Sequence, residues 1–378
     1  MSCEYPPQAK QLRKSPTPEE SEHTSPVSRQ DTAVREFKEA VTNLIRSTAP
    51  PAYLLPKPPG CSVGQSFSIE DMGLLHHYTA YTSLTFADLP EIIEIYRVTA
   101  PQLAFSDPDL LSSLLAISAL HRAHVDPDPE RQQEYFRRAT KHQSRSIHVL
   151  QNRIANITQE NCVGLYLSAC ILSIYTLAEK SWLWRCSRDA ASLDDVVRCL
   201  RLFRGVPSIL RHENHAVFGW IMDGPLKPIG DGFLYKPTGR FTTEQESYFA
   251  VLREFLVEDR DAGEEERGVY LEALRVLREY AEPLLDGRVQ RQIETVGLTL
   301  AWPSIVSEQY LKYLGEPRRG AILLLAQYAA LFARLGHFWW AKAWGKTVLA
   351  VSVELLPEVW KWAIRSFCRE NEVTFSSA

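Results

Sequence analysis

The sequence predicts an all-α protein, a single large domain of about ten to twelve helices behind a disordered N-terminal tail. From Ser68 onward apolar residues recur at helical spacing, with almost no alternating strand pattern. Hydrophobic residues make up 45% of the 378 and aromatic residues 10%, enough for a sizeable core. Ten of the 23 prolines precede Cys61, a composition that buries too little apolar surface to offset chain entropy. The predicted boundaries are a Pro/Ser-rich tail over 1–68 with one short helix near 32–47, a helical domain over 69–370 and a C-terminal tail over 371–378.

Local start signals place the first helices. Ser68, with Asp71 three residues later, resembles a capping box and predicts a helix from that point. Asp107 followed by Pro108 predicts a second start, and the apolar positions after it cover more than one helix face, so this helix should be central. Further helices are predicted over 89–100, 130–154, 156–177, 192–210, 243–258, 269–280, 290–300, 302–314, 320–335 and 337–356, with a last one ending at residue 369.

Three connections are expected to lack helical structure. Residues 178–187 place two tryptophans beside charged residues and are interpreted as a loop. Residues 212–240 are rich in glycine and proline and lack helical period, which predicts a long irregular connection of a kind that is often functional. The charged run at 259–268 is interpreted as an exposed turn.

Residues 298–362 are the most aromatic part of the chain. An apolar run over 321–333 is interrupted only by Gln327. We expect this segment to be buried, either in the protein's own core or against a ligand. It contains six of the nine tryptophans, namely Trp302, Trp339, Trp340, Trp344, Trp360 and Trp362.

Charge and cysteine content exclude several classes of function. A net charge of -4 and a pI near 6.2 give no field for binding a polyanion such as DNA or RNA. The seven cysteines are odd in number and fall mostly in apolar helical patterns, which favours buried free thiols in a reducing compartment. The N-terminus has no apolar segment of the signal-peptide type, and the uncharged run 161–178 is interpreted as a buried helix, so no membrane span is predicted.

No pattern in the sequence specifies a reaction. His121 and His124 lie three apart, a spacing that can hold a metal, but no further ligand has matching spacing, and a polar helix end is the favoured interpretation. Asp194 and Asp195 lack the additional aspartates that a metal-dependent terpene cyclase needs. There is no nucleophile elbow, phosphate loop or dinucleotide fingerprint. No catalytic residue, metal ligand, DNA-binding residue or cofactor is therefore predicted.

Several runs resemble one family. LLHHYTAYTSLTF at 74–86 and PQLAFSDPDLLSSLLAISALHRAH at 101–124 are similar to the start of the regulatory domain of fungal binuclear zinc-cluster transcription factors. RGVPSIL, WPSIVSEQYLKYL and AQYAALFARLGHFWWAKAWGKTVL follow in the same order. The branch that resembles the chain most is that of the sterol uptake control protein.

The resemblance implies an all-α regulatory domain that dimerises and whose C-terminal helices form an apolar pocket for a sterol. A mostly apolar cavity with a few polar groups suits a lipid-like ligand. Ordinary helix packing around bulky tryptophans remains the alternative for each pocket candidate. By region, the candidates are Leu323, Gln327, Leu331, Trp339, Trp340 and Trp344.

The chain departs from the family in its cysteines. A zinc-cluster head needs six closely spaced cysteines, whereas the two nearest here, Cys162 and Cys170, fall in a predicted buried helix. We therefore expect no DNA-binding head and no direct DNA contact, whether the head is naturally missing or the sequence begins in the linker.

The expected function is that of a transcription-regulator-like protein in the nucleus, with the cytoplasm also possible. It would bind a hydrophobic sterol-like molecule and act through partners, as a homodimer or a heterodimer with a zinc-cluster transcription factor. One alternative is a metal-independent cyclase or isomerase of lipid or natural-product biosynthesis on the same scaffold. Another is a non-functional gene fragment.

Overall fold

Helices build all of the regular structure in the residues that the structure, a computed structural model, describes: 67–154, 156–186, 191–208, 215–233, 239–285 and 295–370. The all-α prediction is confirmed. Eleven of the α-helices have at least eleven residues, and the shorter ones have eight or fewer. The predicted tails and the helix near 32–47 lie outside the described residues, apart from residues 67 and 68.

The helices are numbered here in chain order. The helix predicted over 89–100 is present: Pro90–Glu94, a π-helical turn over Ile95–Thr99 and Ala100–Ala104 follow one another with helical backbone throughout. Short 3₁₀ turns cover Thr82–Thr85 and Ala333–Leu335. The α-helices are α1 (Ile69–Ala80), α2 (Pro90–Glu94), α3 (Ala100–Ala104), α4 (Pro108–Val125), α5 (Pro129–Arg153), α6 (Cys162–Cys186), α7 (Leu193–Ser208), α8 (His215–Met222), α9 (Lys227–Phe233), α10 (Thr243–Glu258), α11 (Glu264–Leu285), α12 (Thr295–Ile305), α13 (Glu308–Gly315), α14 (Arg319–Phe332), α15 (Trp339–Leu355) and α16 (Glu358–Glu370).

The two predicted start signals are confirmed. The Ser68 hydroxyl accepts a hydrogen bond from the Asp71 backbone N–H, and the Asp71 carboxylate accepts one from the Ser68 N–H, which completes a capping box. Asp107 caps α4, and Pro108 occupies its first turn. As predicted, α4 is central, because it packs against α5, α6 and α1.

The loop predicted over 178–187 is wrong, because α6 continues without a break to Cys186. Glu179 and Lys180 are buried, whereas Arg185 is exposed. The Lys180 ammonium lies 2.9 Å from the Asp195 carboxylate of α7, and Trp182 stacks on Phe136 of α5 at 5.5 Å. The start predicted near residue 156 is also displaced, since α6 begins at Cys162.

The irregular connection predicted over 212–240 is wrong over much of its length, because α8 and α9 form there. Pro228 lies in the first turn of α9, where no backbone donor is needed. Gly230 permits close helix contact, since a Cβ at this position would lie 2.2 Å from the Met222 Sδ. The glycine and proline content therefore indicates a loop, whereas the positions of Pro228 and Gly230 are compatible with two short packed helices.

The exposed turn predicted over 259–268 ends earlier than expected, because α11 begins at Glu264. Glu264, Glu265 and Glu266 form the first turn of α11, where negative charge interacts favourably with the helix dipole. The turn itself covers the residues before them. Downstream, Trp302 lies inside α12 rather than at the start of the next helix.

Most tryptophans and the apolar run of the segment 298–362 are buried, as predicted, whereas Ile305, Leu355 and Trp362 are exposed. Trp302, Trp340 and Trp344 are at most 1% exposed, whereas Trp362 is 58% exposed on the outer face of α16. The residues of α14 from Gly320 to Phe332 are all buried, which agrees with a run that has no charged side chain. These helices form the core of the C-terminal half.

The segment between α1 and α2 contacts the helices of the C-terminal half, which begins at α12. The Trp340 indole N–H donates to the Thr85 carbonyl at 2.8 Å, and the Thr295 hydroxyl lies 3.0 Å from the Asp88 carboxylate. His337 Nε2 is 3.0 Å from the other Asp88 oxygen. Residues 82–88 therefore form a contact with α12 and with the start of α15, called the seam.

Among the described helices, α6 alone has the length and apolar composition of a membrane span. Of the 18 most apolar consecutive residues of this helix, 83% are buried inside the domain, which indicates a core helix. The five cysteines of the described residues are free thiols, as predicted, and only Cys186 is exposed.

Candidate ligand-binding site

Helix α14 is the centre of the candidate site, and two of its faces carry different contacts. Leu323, Gln327 and Leu331 are spaced four apart and so lie along one face. Tyr328 and Phe332 lie about a quarter-turn around the helix from that line. The two faces contact different helices, which divides the six candidate residues.

The Gln327 face contacts α10 and α16. The Tyr248 hydroxyl of α10 donates a hydrogen bond to Gln327 Oε1, and the Tyr248 ring lies 4.7 Å from Phe367 of α16. Gln327 is 0% exposed, as is Leu323, and Leu331 is 1% exposed. The polar end of Gln327 is therefore enclosed between three helices.

The amide nitrogen of Gln327 has no hydrogen-bond partner among the described residues. Leaving a buried donor unpaired costs about 1–3 kcal/mol of stability. Because Tyr248 holds the amide oxygen, the Nε2 donor is left to face the remaining apolar surroundings. Gln327 thus places one unpaired donor on a face of α14 that is otherwise apolar.

Trp340 and Trp344 of α15 pack on the other face of α14. Phe332 lies 4.6 Å from Trp344, and Tyr328 lies 6.3 Å from it in an edge-on arrangement. Phe338 stacks on Trp340 at 5.3 Å. Aromatic contacts of this geometry contribute about 0.5–1.5 kcal/mol each beyond their burial.

Most polar groups in this aromatic cluster are satisfied by backbone carbonyls. Trp340 donates to Thr85, and the Tyr328 hydroxyl donates to the Thr299 carbonyl at 3.1 Å. The Trp344 indole lies beside the Cys199 thiol, whose pKa is raised by burial to about 12. The Trp344 indole nitrogen is the exception, because it has no hydrogen-bond partner among the described residues.

Trp339 lies in a third position, away from both faces. It stacks on His121 of α4 at 4.8 Å, and its indole N–H donates to the Thr85 hydroxyl at 3.0 Å. The side chain is only partly buried. The six candidates thus occupy three places around α14 and α15, with Gln327 on a different face of α14 from the one that packs on Trp340 and Trp344.

His121 does not lie at a polar helix end, contrary to the prediction, because it is only 8% exposed. Its Nδ1 is 3.0 Å from the Thr82 hydroxyl, and its ring lies 5.1 Å from His77. Burial lowers the pKa of His121 to about 3 and that of His77 to about 4, so both rings are neutral near pH 7. The described residues hold no cluster of three or more metal-ligating side chains.

Sequence reasoning missed a buried charged group on α6. Glu179 is 5% exposed, and burial raises its pKa to about 7, opposed by Lys180 and by the neighbouring Tyr175 hydroxyl. Lys180 is equally buried and paired with Asp195. The adjacent charges indicated a solvated loop, and the counter-ion fifteen residues later gave no local signal.

Comparison with known proteins finds a family match in the first half of the described domain. Residues 73–193, from α1 to the start of α7, match the model of the fungal specific transcription factor domain. The fold expected from the resemblance and the family match therefore agree over α1–α6, the region that includes the central helix α4.

The similar proteins are regulators by name. The chain is 29% identical over 163 residues to the Zn(2)-C6 fungal-type transcription factor afumD of Aspergillus fumigatus. It is 27% identical over 150 residues to sterol uptake control protein 2 of Candida albicans, and 31% identical over 118 residues to that of Saccharomyces cerevisiae. Two of these relatives are named for the control of sterol uptake, and the other is named as a transcription factor.

These similarities are partial in both directions. The matched stretches cover 40%, 39% and 31% of this chain, and 40%, 20% and 12% of the respective relatives. The chain therefore spans less than half the length of the curated relatives it matches.

Proposed function

We propose that this chain is a ligand-responsive regulator of transcription that binds a hydrophobic, sterol-like molecule through helices α14–α16. Two relatives are named for the control of sterol uptake, and a third is named as a transcription factor. The observation that carries the ligand proposal is the unpaired Gln327 amide within an apolar, aromatic group of helices. An apolar site with a few convergent polar groups is the usual form of a small-molecule site.

The residues proposed to meet the ligand are those of both faces of α14. Leu323, Gln327 and Leu331 would line the side towards α10 and α16. Trp340 and Trp344 would form the wall towards α15, with Trp339 at its outer edge. Binding between α14 and either neighbour would change helix packing, and such a change can be transmitted as a shift in conformational equilibrium.

We propose further that the protein acts in the nucleus through protein partners. It would form a homodimer, or a heterodimer with a zinc-cluster transcription factor that would supply the contact with DNA. The net charge of -4 supports this division, because the chain lacks the positive field that phosphate binding requires.

The ligand proposal is tested by titrating the purified protein with a fluorescent sterol. We expect saturable binding with submillimolar affinity, and Trp340→Ala should weaken it by at least about tenfold, which is about 1.4 kcal/mol. Trp362→Ala is the matched control, because this tryptophan lies on the outer face of the neighbouring helix and is 58% exposed. Equal binding by both variants, with circular dichroism showing both folded, would contradict the proposed wall.

The partner proposal is tested by gel shift with the purified chain alone and then with a zinc-cluster protein from the same genome. We expect no sequence-specific shift by the chain alone. Tight, sequence-specific DNA binding by the chain alone would overturn the proposal that a partner makes the DNA contact.

A further inference from the structure

We propose that residues 15–26 of the N-terminal tail, once phosphorylated, bind the positively charged outer face of α5 in the same chain. This face, called the basic face, consists of Arg137, Lys141, Arg145 and His148. The modifying enzyme would be a serine/threonine kinase that requires a proline directly after its target residue. This inference does not depend on the ligand proposed for the C-terminal helices.

Helical spacing creates the basic face. Arg137, Lys141 and Arg145 are four residues apart, and His148 follows three residues later. All four therefore lie along one side of α5, and all are exposed. The sequence from 135 to 159 contains no aspartate or glutamate. Positive charge is thus concentrated on this face of a chain whose net charge is -4.

The fold leaves much of this charge without a partner. Glu134 lies 2.9 Å from Arg137, but the same side chain also pairs with Arg138 at 3.0 Å. Neither Lys141 nor Arg145 forms an ion pair with another of the described residues. These cations are available to an anion from elsewhere, and phosphate forms strong, charge-assisted hydrogen bonds with arginine and lysine.

Residues 15–26, which lie outside the described residues, have the sequence SPTPEESEHTSP. Ser15, Thr17 and Ser25 each precede a proline, and three glutamates lie between Thr17 and Ser25. Each phosphate adds a charge of about -1.5 to -2 at pH 7 and three acceptor oxygens. Three phosphates would therefore change the charge of this segment from -3 to about -8.

Phosphorylation would determine whether the segment binds. Lys10, Arg13 and Lys14 precede it and offset the charge of its three glutamates, so the unmodified tail is close to neutral here. ATP is the co-reactant: the hydroxyl oxygen forms a bond to the γ-phosphorus, the bond from that phosphorus to the β–γ bridging oxygen breaks, and ADP leaves. The hydroxyl proton passes to a base of the kinase.

The spacing of two of the sites matches the spacing of the basic face. A residue before proline favours extended backbone, and the sequence predicts this for Ser15 and Thr17. In an extended chain, residues two apart point to the same side and are separated by about 6–7 Å. Four residues of α-helix rise about 6 Å. Two successive phosphates could thus meet Lys141 and Arg145.

The tail joins the domain next to the basic face. Asp71, in the first turn of α1, lies 3.0 Å from Nε2 of His142, a residue of α5 between Lys141 and Arg145 in sequence. About forty residues separate the proposed ligand from the start of the described chain at residue 67. Tethering at this point gives the segment an effective concentration on the order of a millimolar or less, so a modest affinity is sufficient.

The first test titrates the full, unphosphorylated chain with a fluorescent peptide of residues 12–28 that carries phosphate on Ser15, Thr17 and Ser25. We expect saturable binding that is at least about tenfold tighter than that of the unphosphorylated peptide. Raising the salt from 50 to 300 mM should weaken it at least about threefold, because exposed charges are screened. Equal binding of the two peptides would overturn the inference.

Charge reversal tests the position of the site. Lys141→Glu combined with Arg145→Glu should weaken phosphopeptide binding at least about tenfold, because two attractive charges become repulsive. Lys342→Glu combined with Lys346→Glu is the matched control, since these exposed lysines are also four residues apart, on α15. Circular dichroism checks that both double variants are folded. Binding that is unchanged in both, or weakened equally in both, would contradict a site on α5.

The contact within one chain is tested on the full protein after incubation with a purified cyclin-dependent kinase and ATP. Mass spectrometry should find phosphate on Ser15, Thr17 and Ser25. The Lys141 amine should then react with an acetylating reagent at least about threefold more slowly, while Lys346 reacts as before, and a phosphatase should reverse the change. Absence of phosphate at these sites would overturn the modification, and unchanged Lys141 reactivity would overturn the intramolecular contact.

Nucleic acid is the competing anion for the basic face. A random-sequence DNA duplex is therefore titrated against the same unphosphorylated chain and the same charge-reversal variants. We expect the duplex to bind more weakly than the phosphopeptide. Tighter binding by the duplex, lost in the Lys141→Glu and Arg145→Glu double variant, would assign the basic face to nucleic acid and overturn the inference.

Discussion

At the scale of single residues, Glu179 couples stability to pH in a direction unusual for a carboxylic acid. Its pKa is raised from 4.5 to about 7 by burial, so the unfolded chain releases this proton at a lower pH than the folded protein does. The stability contributed by the protonated form is complete below about pH 4.5 and is lost as pH rises to about 7. Above that, the folded protein holds a buried carboxylate beside the Tyr175 hydroxyl and Lys180.

We therefore predict that Glu179→Gln, which mimics the protonated acid, stabilises the protein at high pH. Urea unfolding should give nearly equal free energies for variant and parent at pH 5, and up to about 3 kcal/mol more for the variant at pH 8. Glu254→Gln on the exposed surface of α10 is the control and should show no such difference. A Glu179→Gln variant that follows the parent across this range would contradict the predicted pH coupling.

The histidine pair acts in the opposite pH range. The pKa values of His77 and His121 are lowered from 6.5 to about 4 and about 3 by burial, and then by neighbouring positive charges. Their neutral forms contribute stability that is complete above pH 6.5 and is lost as pH falls, because the unfolded chain then takes up protons that the folded protein excludes. Each residue contributes about 1.4 kcal/mol per pH unit between about pH 6 and pH 5.

His121→Asn should remove one residue's share of this acid sensitivity. Asparagine keeps a polar group near the Nδ1 position, where His121 meets the Thr82 hydroxyl, but does not titrate. We predict that the loss of unfolding free energy from pH 7 to pH 5 becomes smaller by about 2 kcal/mol in the variant. An unchanged pH slope in chemical denaturation would show that His121 is protonated in the folded protein.

These residues also show which features of the candidate site could be predicted from sequence. Gln327 is visible as a polar interruption of an apolar run, but its partner Tyr248 lies 79 residues earlier and leaves no pattern. Trp339 shares the run of tryptophans with Trp340, yet it contacts α4 instead of α14. Proximity in sequence groups residues by region, whereas the helix face decides what each side chain meets.

At the scale of elements, the N-terminus of α4 is fixed by one carboxylate with two roles. Asp107 Oδ1 accepts from the Asp109 and Leu110 backbone N–H groups at 3.2 Å each, which caps the helix. The Arg153 guanidinium at the end of α5 lies 2.9 Å from the same carboxylate and 3.0 Å from that of Asp109. The cap thus also fixes α5 against α4.

We predict that Asp107→Ala destabilises the protein by about 2–3 kcal/mol. About 1 kcal/mol of this is the lost cap, and the remainder reflects the lost pairing with a partly buried guanidinium. Asp107→Asn is the matched variant, because asparagine caps as well as aspartate and lacks only the charge. In urea unfolding it should lose clearly less than the alanine variant; equal losses would mean that the cap contributes nothing.

Helix starts of this kind are the part of the fold that the sequence predicts well. Ser68 and Asp107 act within three or four residues, so their signals are local, and Thr243–Glu258 matches the predicted range. Burial of charge is not local. The continuation of α6 through Glu179 and Lys180 depends on neighbours supplied by other helices, so a loop was the natural and wrong interpretation.

At the scale of the whole molecule, the seam joins the matched transcription-factor stretch to the C-terminal helices. Residues 82–88 fall inside the match over 73–193, whereas Thr295, His337 and Trp340 lie well beyond it. The seam bonds are therefore contacts between the family-matched part and the part proposed to hold the ligand. A ligand that moved α15 would act on the first half through them.

We predict from the seam that the two halves unfold together. Tryptophan fluorescence, dominated by the six tryptophans of residues 298–362, and hydrogen exchange of α4 and α6 should report the same unfolding free energy for the described domain. Asp88→Ala removes an acceptor from the Thr295 hydroxyl and a partner from His337, and should lower both free energies equally, by about 1–2 kcal/mol. If the first half keeps its protection while the fluorescence transition shifts, the seam does not couple the halves, and a signal from the ligand helices would need another route.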